Sequence, residues 1–372
     1  MSKFVHQASY YLDDKDLSDL FEAQNVAQRF LLKLARRRGL FLSEKASREE
    51  LVHALCMAPI SREEVNAIAE AVNTEDRESR QMTKQLIGRQ DPAVTSALEQ
   101  VKGWLEERGE VASLTKTGES SYKLECRFVE VQPQRARPLQ RIERLVTIEV
   151  EIVAGRVDIR YSEHEHAKAI VKRLSDEIPV KVPSARSEWS VSLWSVRDAQ
   201  TRIKFFTELI NGVDGFVLAG VSDLHLDRRF PGDGEASGEE VKGEKTDKRK
   251  KELEGLVKHA VLFGDSLLKS EFYLELTDSG YYISSVKWTA NEAGGDQRQV
   301  EFYAGFRDPI EATDFLFDVR RVAKRDKAGD YGKAERPHAL ERPVLLKLAE
   351  AAAYQAMERV EQKVAARADR AK

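Results

Sequence analysis

The chain has 372 residues, of which 41% are hydrophobic and 33% charged, with a net charge of −3. That apolar share supports a core beneath a heavily charged surface, and at roughly 100–200 residues per domain the length allows two or three domains. The balance of charge excludes binding to nucleic acid through a global excess of basic residues, so any such binding must come from a local patch. The two cysteines, Cys56 and Cys126, stand in apolar periodic contexts and read as buried thiols in a reducing compartment. They are too few for a disulfide framework or a zinc site. The start MSKFVHQASYYLDDKD has no apolar signal core, and no run approaches 18 apolar residues. A soluble, cytoplasmic protein without a membrane span is expected.

Residues 1–112 read as a helical region. Leu17, Leu20 and Phe21 recur at helical spacing, as do Val26, Phe30, Leu31 and Leu34 ahead of Gly39, which suits a helix C-cap. Ser47 and Glu50 form the spacing of a capping box before Leu51, Val52 and Leu55. Pro59 closes that helix, and Ser61 with Glu64 repeats the signature. The polar stretch Asn73–Lys84 reads as an exposed helix or linker. Asp91–Pro92 opens a further helix carrying Val94, Leu98, Val101 and Leu105.

From residue 113 the pattern turns to strands. Residues 113–230 read as one α+β unit, with strands at Tyr122–Val131, Leu145–Val153 and Arg156–Tyr161. The last two form a hairpin across Ala154–Gly155. A helix burying Ala167, Ile170, Val171 and Leu174 follows. Trp189–Trp194 alternates like a strand, Asp198–Asn211 is helical, and Asp214–Asp227 is one strand or a pair. Residues 231–251, rich in glycine and charge, read as a flexible linker. A second α+β unit spans 252–340: a helix over Leu253–Thr277, strands at Tyr281–Thr289 and Gln299–Gly305, and a helix from Pro309 burying Ala312, Phe315, Leu316 and Val319. The strand, strand, helix order occurs twice, which suggests a duplicated ββα-type unit. Residues 341–372 form an amphipathic helix with a stripe of Leu346, Ala349, Ala353, Met357, Val360 and Val364, suited to docking on its own domain or on a partner.

The clearest functional pattern lies at residues 26–57. A first helix carries Leu31 and Leu34, the chain turns at Gly39–Leu40, an extended segment follows, and a second helix opens at Glu49–Glu50–Leu51 with Leu55. This order resembles a SAP module, a small helix, extended loop, helix unit that often binds DNA. The loop is longer than the usual pattern, and Ser43–Glu44–Lys45–Ala46 replaces the small-glycine-lysine element. Independently of the resemblance, Arg29, Lys33, Arg36, Arg37, Arg38, Lys45 and Arg48 outnumber Glu44, Glu49 and Glu50 by four. Such a patch attracts phosphates without reading sequence. Cations near a helix C-terminus also stabilise its dipole, which is the competing reading. A second basic cluster, Arg135, Arg137, Arg141 and Arg144, falls in a loop, where the planar guanidinium suits bidentate phosphate contacts.

Three other clusters carry a bland reading beside the chemical one. Asp223, His225 and Asp227 share one strand face and offer metal-ligand chemistry for hydrolysis, although any half-exposed strand alternates in this way. His164 and His166 in the run Glu163–His166 diverge by about 200° around a helix and do not make a zinc pair. Tyr281, Tyr282 and Trp288 with Lys269 and Lys287 present base-stacking chemistry or ordinary core packing. No phosphate-binding GxxxxGK[ST] loop, GxSxG elbow, CxxC pair or HExxH run occurs. The expectation is a nucleic-acid-associated binding or accessory protein without catalytic residues, cofactor or metal, of use in bacterial defence or a DNA transaction. The alternatives are an interaction subunit working through its C-terminal helix, and a metal-dependent hydrolase using Asp223, His225 and Asp227.

Overall fold

In the computed structural model the described residues are 14–22, 27–57, 61, 63–64, 80–87, 91–134, 140–153, 156–178, 188–196, 198–228, 259–263, 271–294, 298–325 and 331–370. They divide into two compact units. The first holds residues 1–79, 102–114 and 124–147, and the second holds 80–101, 115–123 and 148–372. The fold class is α+β, as expected.

In the first unit, α1 (Asp14–Glu22), α2 (Gln28–Arg37) and α3 (Arg48–Cys56) are each too short to persist alone in water. They hold one another by burying Leu17, Leu20 and Phe21, then Leu31, Leu34 and Ala35, then Leu51, Val52 and Leu55 in a single cluster, with Cys56 packed at its edge. The helix boundaries follow from local chemistry. Gly39 takes φ +75°, which lets Leu40 N–H reach back to Ala35 O at 2.9 Å. At Ser47 the capping box is complete. Glu50 N–H donates to Ser47 Oγ at 3.2 Å, and Ser47 N–H donates to Glu50 Oε2 at 2.9 Å. Ser61 and Glu64 repeat both bonds. Residues 111–114, 124–131 and 141–147 of β2 (Val111–Gly118), β3 (Ser121–Val131) and β4 (Arg141–Val153) also belong here. The buried Cys126 thiol donates to Glu110 at 3.1 Å, and burial with that carboxylate pushes its pKa up to about 12. Burial and the carboxylate thus both favour the thiol over the thiolate.

The second unit is built on an antiparallel sheet. Its other strands are β1 (Gln81–Ile87), β5 (Arg156–Ser162), β6 (Glu188–Trp189), β7 (Phe216–Arg228), β8 (His259–Phe263), β9 (Tyr281–Glu292), β10 (Gln299–Asp308) and β11 (Thr313–Ala323). From β4 onward the order is β4-β5-β1-β11-β10-β9-β7-β8. β1 pairs along its length with β5, and its other edge is shared by β11 at Gln81 and β6 at Gln85 and Leu86. The helices are α4 (Asp91–Glu107, whose last turn counts to the first unit), α5 (Glu165–Glu177), α6 (Ala199–Asn211), α7 (Glu271–Asp278) and α8 (Arg342–Arg370). On one face, α6, α7 and α8 bury an aromatic core with β7, β9, β10 and β11. Trp288 and Phe302 stack there at 5.4 Å, and Phe205, Phe306 and Phe315 meet within 5.8 Å.

Several expectations need correction. Gln81–Lys84, expected as the end of an exposed helix or linker, belongs instead to the strand Gln81–Ile87. The residues that make it look like surface, Thr83 and Gln85, are buried. Thr83 Oγ1 donates to Glu350 of α8, and Arg160 of β5 donates to the same carboxylate from Nε at 3.0 Å and to Glu149 from Nη1 at 2.7 Å. The polar face thus packs on a buried ion network. Within 253–277, residues 259–263 form a strand and only Glu271–Asp278 is helical among the described residues. Thr313–Ala323 is a strand rather than a helix, buried on both faces, so its continuous apolar run mimicked helical spacing. With that helix gone, the second half does not repeat the strand, strand, helix order, and the expected duplication falls. β7 pairs with β9, so strands placed in two separate units by sequence share one sheet. Trp189–Trp194 is a two-residue strand followed by a turn.

The C-terminal stripe is docked on its own unit, against α6 and β11. It is broader than expected, since Leu345, Ala352, Tyr354 and Ala356 join it, while Val364 lies beyond and is 39% exposed. Among the described residues, no helix is long and apolar enough to cross a membrane.

Candidate nucleic-acid interface

The amphipathic design of α2 places its charges. Leu31, Leu34 and Ala35 turn into the core of the first unit, so Arg29, Lys33, Arg36 and Arg37, at i, i+4, i+7 and i+8, form a stripe on the opposite face. All four are exposed. Arg36 meets Glu44 at 2.8 Å, where both side chains are more than half exposed and the pair is easily exchanged for another anion. Lys45 is also exposed, on the loop that precedes α3.

Two of the expected cations have structural duties. Arg38 is only 7% exposed. It grips Glu64 through Nε at 3.1 Å and Nη2 at 2.9 Å, and donates from Nη1 to Leu55 O at 3.2 Å. That guanidinium holds the Glu64 carboxyl down at about 2. Arg48 donates to Phe21 O at 2.8 Å, tying α3 to α1. Neither bond leaves these side chains aimed outward with the stripe.

One contributor was not singled out in the sequence. Phe41, just beyond the α2 turn, is 89% exposed, in a loop otherwise held by Leu40, Leu42 and Ala46 against the core. A phenyl ring beside a cationic stripe is the pairing that single-stranded nucleic acid uses, stacking bases while cations track phosphates. In sequence it is hidden, because Phe41 sits between two leucines that are packed.

Of the second basic cluster, Arg135 and Arg137 lie outside the described residues. Arg141 and Arg144 lie on β4 rather than in a loop. Arg141 is exposed, whereas Arg144 meets Glu130 of β3 at 2.8 Å. The structure therefore describes Arg29, Lys33, Arg36, Arg37 and Lys45 on one helix and loop, with Arg141 on a strand.

The remaining clusters resolve in physical terms. Asp223 and His225 share a face of β7, with Nε2 at 3.3 Å from the carboxylate, and Lys287 Nζ meets the same carboxylate at 3.4 Å. A lysine thus neutralises the group that was weighed as a metal ligand, and among the described residues Asp223, His225 and Asp227 do not converge into a three-ligand group. His164 is the N-cap of α5, its ring accepting from His166 N–H at 3.0 Å. Tyr281, Tyr282 and Trp288 are 0–3% exposed and belong to the packing of the sheet, and Lys269 lies outside the described residues.

No protein-family model and no curated protein sequence matches this chain. The fold defines an α+β protein with an N-terminal helical bundle, and the site rests on its own geometry.

Proposed function

We propose that this protein binds nucleic acid without catalysing its chemistry, gripping phosphates with Arg29, Lys33, Arg36, Arg37 and Lys45 and stacking a base on Phe41. The observation that supports this reading most is the stripe of four exposed cations on α2, opposite its buried face and continuous in sequence with an 89% exposed aromatic ring. Neither feature contributes to the core, and phosphate and base are the two chemistries they serve together. Arg141 is proposed as a further phosphate contact on β4. An accessory role in defence or in a DNA transaction is the setting we assign to such a grip.

The test is fluorescence anisotropy of the full chain with short single- and double-stranded DNA and RNA, from low to physiological salt. Four or five phosphate contacts give a slope of log affinity against log salt of about −3.6 to −4.5 on duplex DNA. Arg29→Glu with Lys33→Glu and Arg37→Glu is expected to abolish binding at physiological salt. Binding that survives the triple charge reversal, or none by the intact chain at low salt, removes α2 as the interface.

A further inference from the structure

We infer that the α2 grip takes single-stranded nucleic acid in preference to a duplex, and that this preference widens as salt rises. The inference rests on the nucleic-acid reading above and names the strand form that the grip serves. Arg29, Lys33 and Arg37 stand at i, i+4 and i+8, so their row spans about 12 Å of helix axis. It runs toward the C-terminal end of α2, which Phe41 follows. Arg36 meets Glu44 at 2.8 Å, and this contact seats the loop that carries the ring beside the last turn of α2. The loop is closed at both ends. Gly39 N–H donates to Arg36 O at 3.1 Å and Leu40 N–H to Ala35 O at 2.9 Å, which ends the helix sharply. At the far end Ala46 N–H donates to Ser43 O at 3.0 Å, and Gln28 Nε2 donates to Ala46 O at 2.9 Å, tying the loop back to the first turn of α2. Leu40 and Leu42 pack on the core, and Phe41 between them is left 89% exposed. A ring held in this way forgoes the gain of burial, and the face of an unpaired base restores it.

A single strand offers that face at little cost. Stacking on an aromatic ring is worth roughly five- to 150-fold in affinity per base. In a duplex each base is already paired and stacked, and extruding one costs as much as the ring returns. Phe41 therefore favours the single strand and gives a duplex no net gain. Charge pulls the other way, because a duplex carries more phosphates per length of axis. Five phosphate contacts give a slope of log affinity against log salt of about −3.5 on a single strand and about −4.5 on a duplex. A fourfold rise in salt thus cuts single-strand binding about 130-fold and duplex binding about 500-fold. Stacking involves no released counterion and survives that rise. The single strand accordingly gains about fourfold on the duplex over the same interval.

The experiment measures fluorescence anisotropy of the full chain at low and physiological salt with three labelled probes of equal phosphate count. They are a single strand of thymidines, the same strand without its bases, and a hairpin duplex. At physiological salt the thymidine strand is expected to bind roughly tenfold tighter than either of the others. The ratio of thymidine strand to duplex should rise as salt is added. Phe41→Ala should lower the thymidine strand to the level of the strand without bases, and Phe41→Trp should restore the difference. Both variants should melt with the parent, since the side chain they replace lies outside the core. Duplex binding as tight as that of the thymidine strand at physiological salt overturns the inference and leaves the grip standing. So does a loss in Phe41→Ala that falls equally on the strands with and without bases. No binding of any probe at low salt overturns the inference together with the grip on which it rests.

Discussion

Arg38 stands in a run of three arginines, yet it is held inside by Glu64 and Leu55 O while its neighbours Arg36 and Arg37 face water. Replacing it with alanine strips a charge-assisted pair from a mostly buried site, which is expected to cost about 1.5–3 kcal/mol in denaturant unfolding. The pair also has a pH signature. Glu64 sits at about 2 in the folded chain against an ordinary 4.5, so the unfolded state takes up its proton first. The stabilisation is fully present above pH 4.5 and is lost as pH falls toward 2. Melting temperatures of the intact chain and of Glu64→Gln should therefore converge across that window. The Arg160–Glu350 pair is deeper, with both side chains at most 10% exposed. Glu350→Ala leaves that arginine facing only Glu149, and a loss of about 3–5 kcal/mol is expected. Gly305 makes a different demand, because a Cβ there would fall on the Ser285 Cβ and crowd the Tyr303 hydroxyl. Gly305→Ala is expected to destabilise the chain by about 1–3 kcal/mol through overpacking, read from the denaturation midpoint. None of these roles is written in the local sequence, since each partner is fixed only by the tertiary fold.

Elements with a regular period and a chemical stop were legible. α2 ended at its glycine, α3 began at its capping box, and α5 buried the four residues its spacing named. Those that were misread broke the link between polarity and exposure. β1 looked like surface because its polar residues face a buried carboxylate and guanidinium. β11 looked helical because burial on both faces erases the two-residue alternation, and the register shift opposite Glu301 and Phe302 disturbs what remains. In the candidate interface the cationic stripe was readable from spacing, but the exposure of Phe41 was not. Phe41→Ala is expected to weaken binding to single-stranded DNA by about 1–3 kcal/mol while leaving the salt slope unchanged, as anisotropy will show. The C-terminal helix divides likewise. Removing residues 361–372 should leave the melting temperature nearly unchanged, because most described side chains there are exposed. Removing residues 342–372 uncovers the aromatic core and should abolish cooperative unfolding of the second unit.

At the scale of the whole molecule, the sheet of the second unit joins what the sequence separates. The change of composition at 231–251 suggested a boundary between two units, but hydrogen bonding does not respect it, since β7 before the segment pairs with β9 after it. The same architecture has a consequence for how the chain comes into being. β1, at residues 81–87, is completed on its second edge by β11, whose pairing partner Phe317 lies more than two hundred residues downstream, and by β6. Such distant closure makes the fold one of high contact order, slow to form once the local hairpins have zipped. During synthesis from the N-terminus, the hairpin of β4 and β5 can form early, while β1 waits with an open edge for strands still inside the ribosome. The buried polar residues of β1 and β5 add a safeguard to this delay. Until α8, which emerges after every strand of this sheet, brings Glu350, the nascent sheet presents hydrophilic Thr83, Gln85 and Arg160 where an apolar face would invite aggregation.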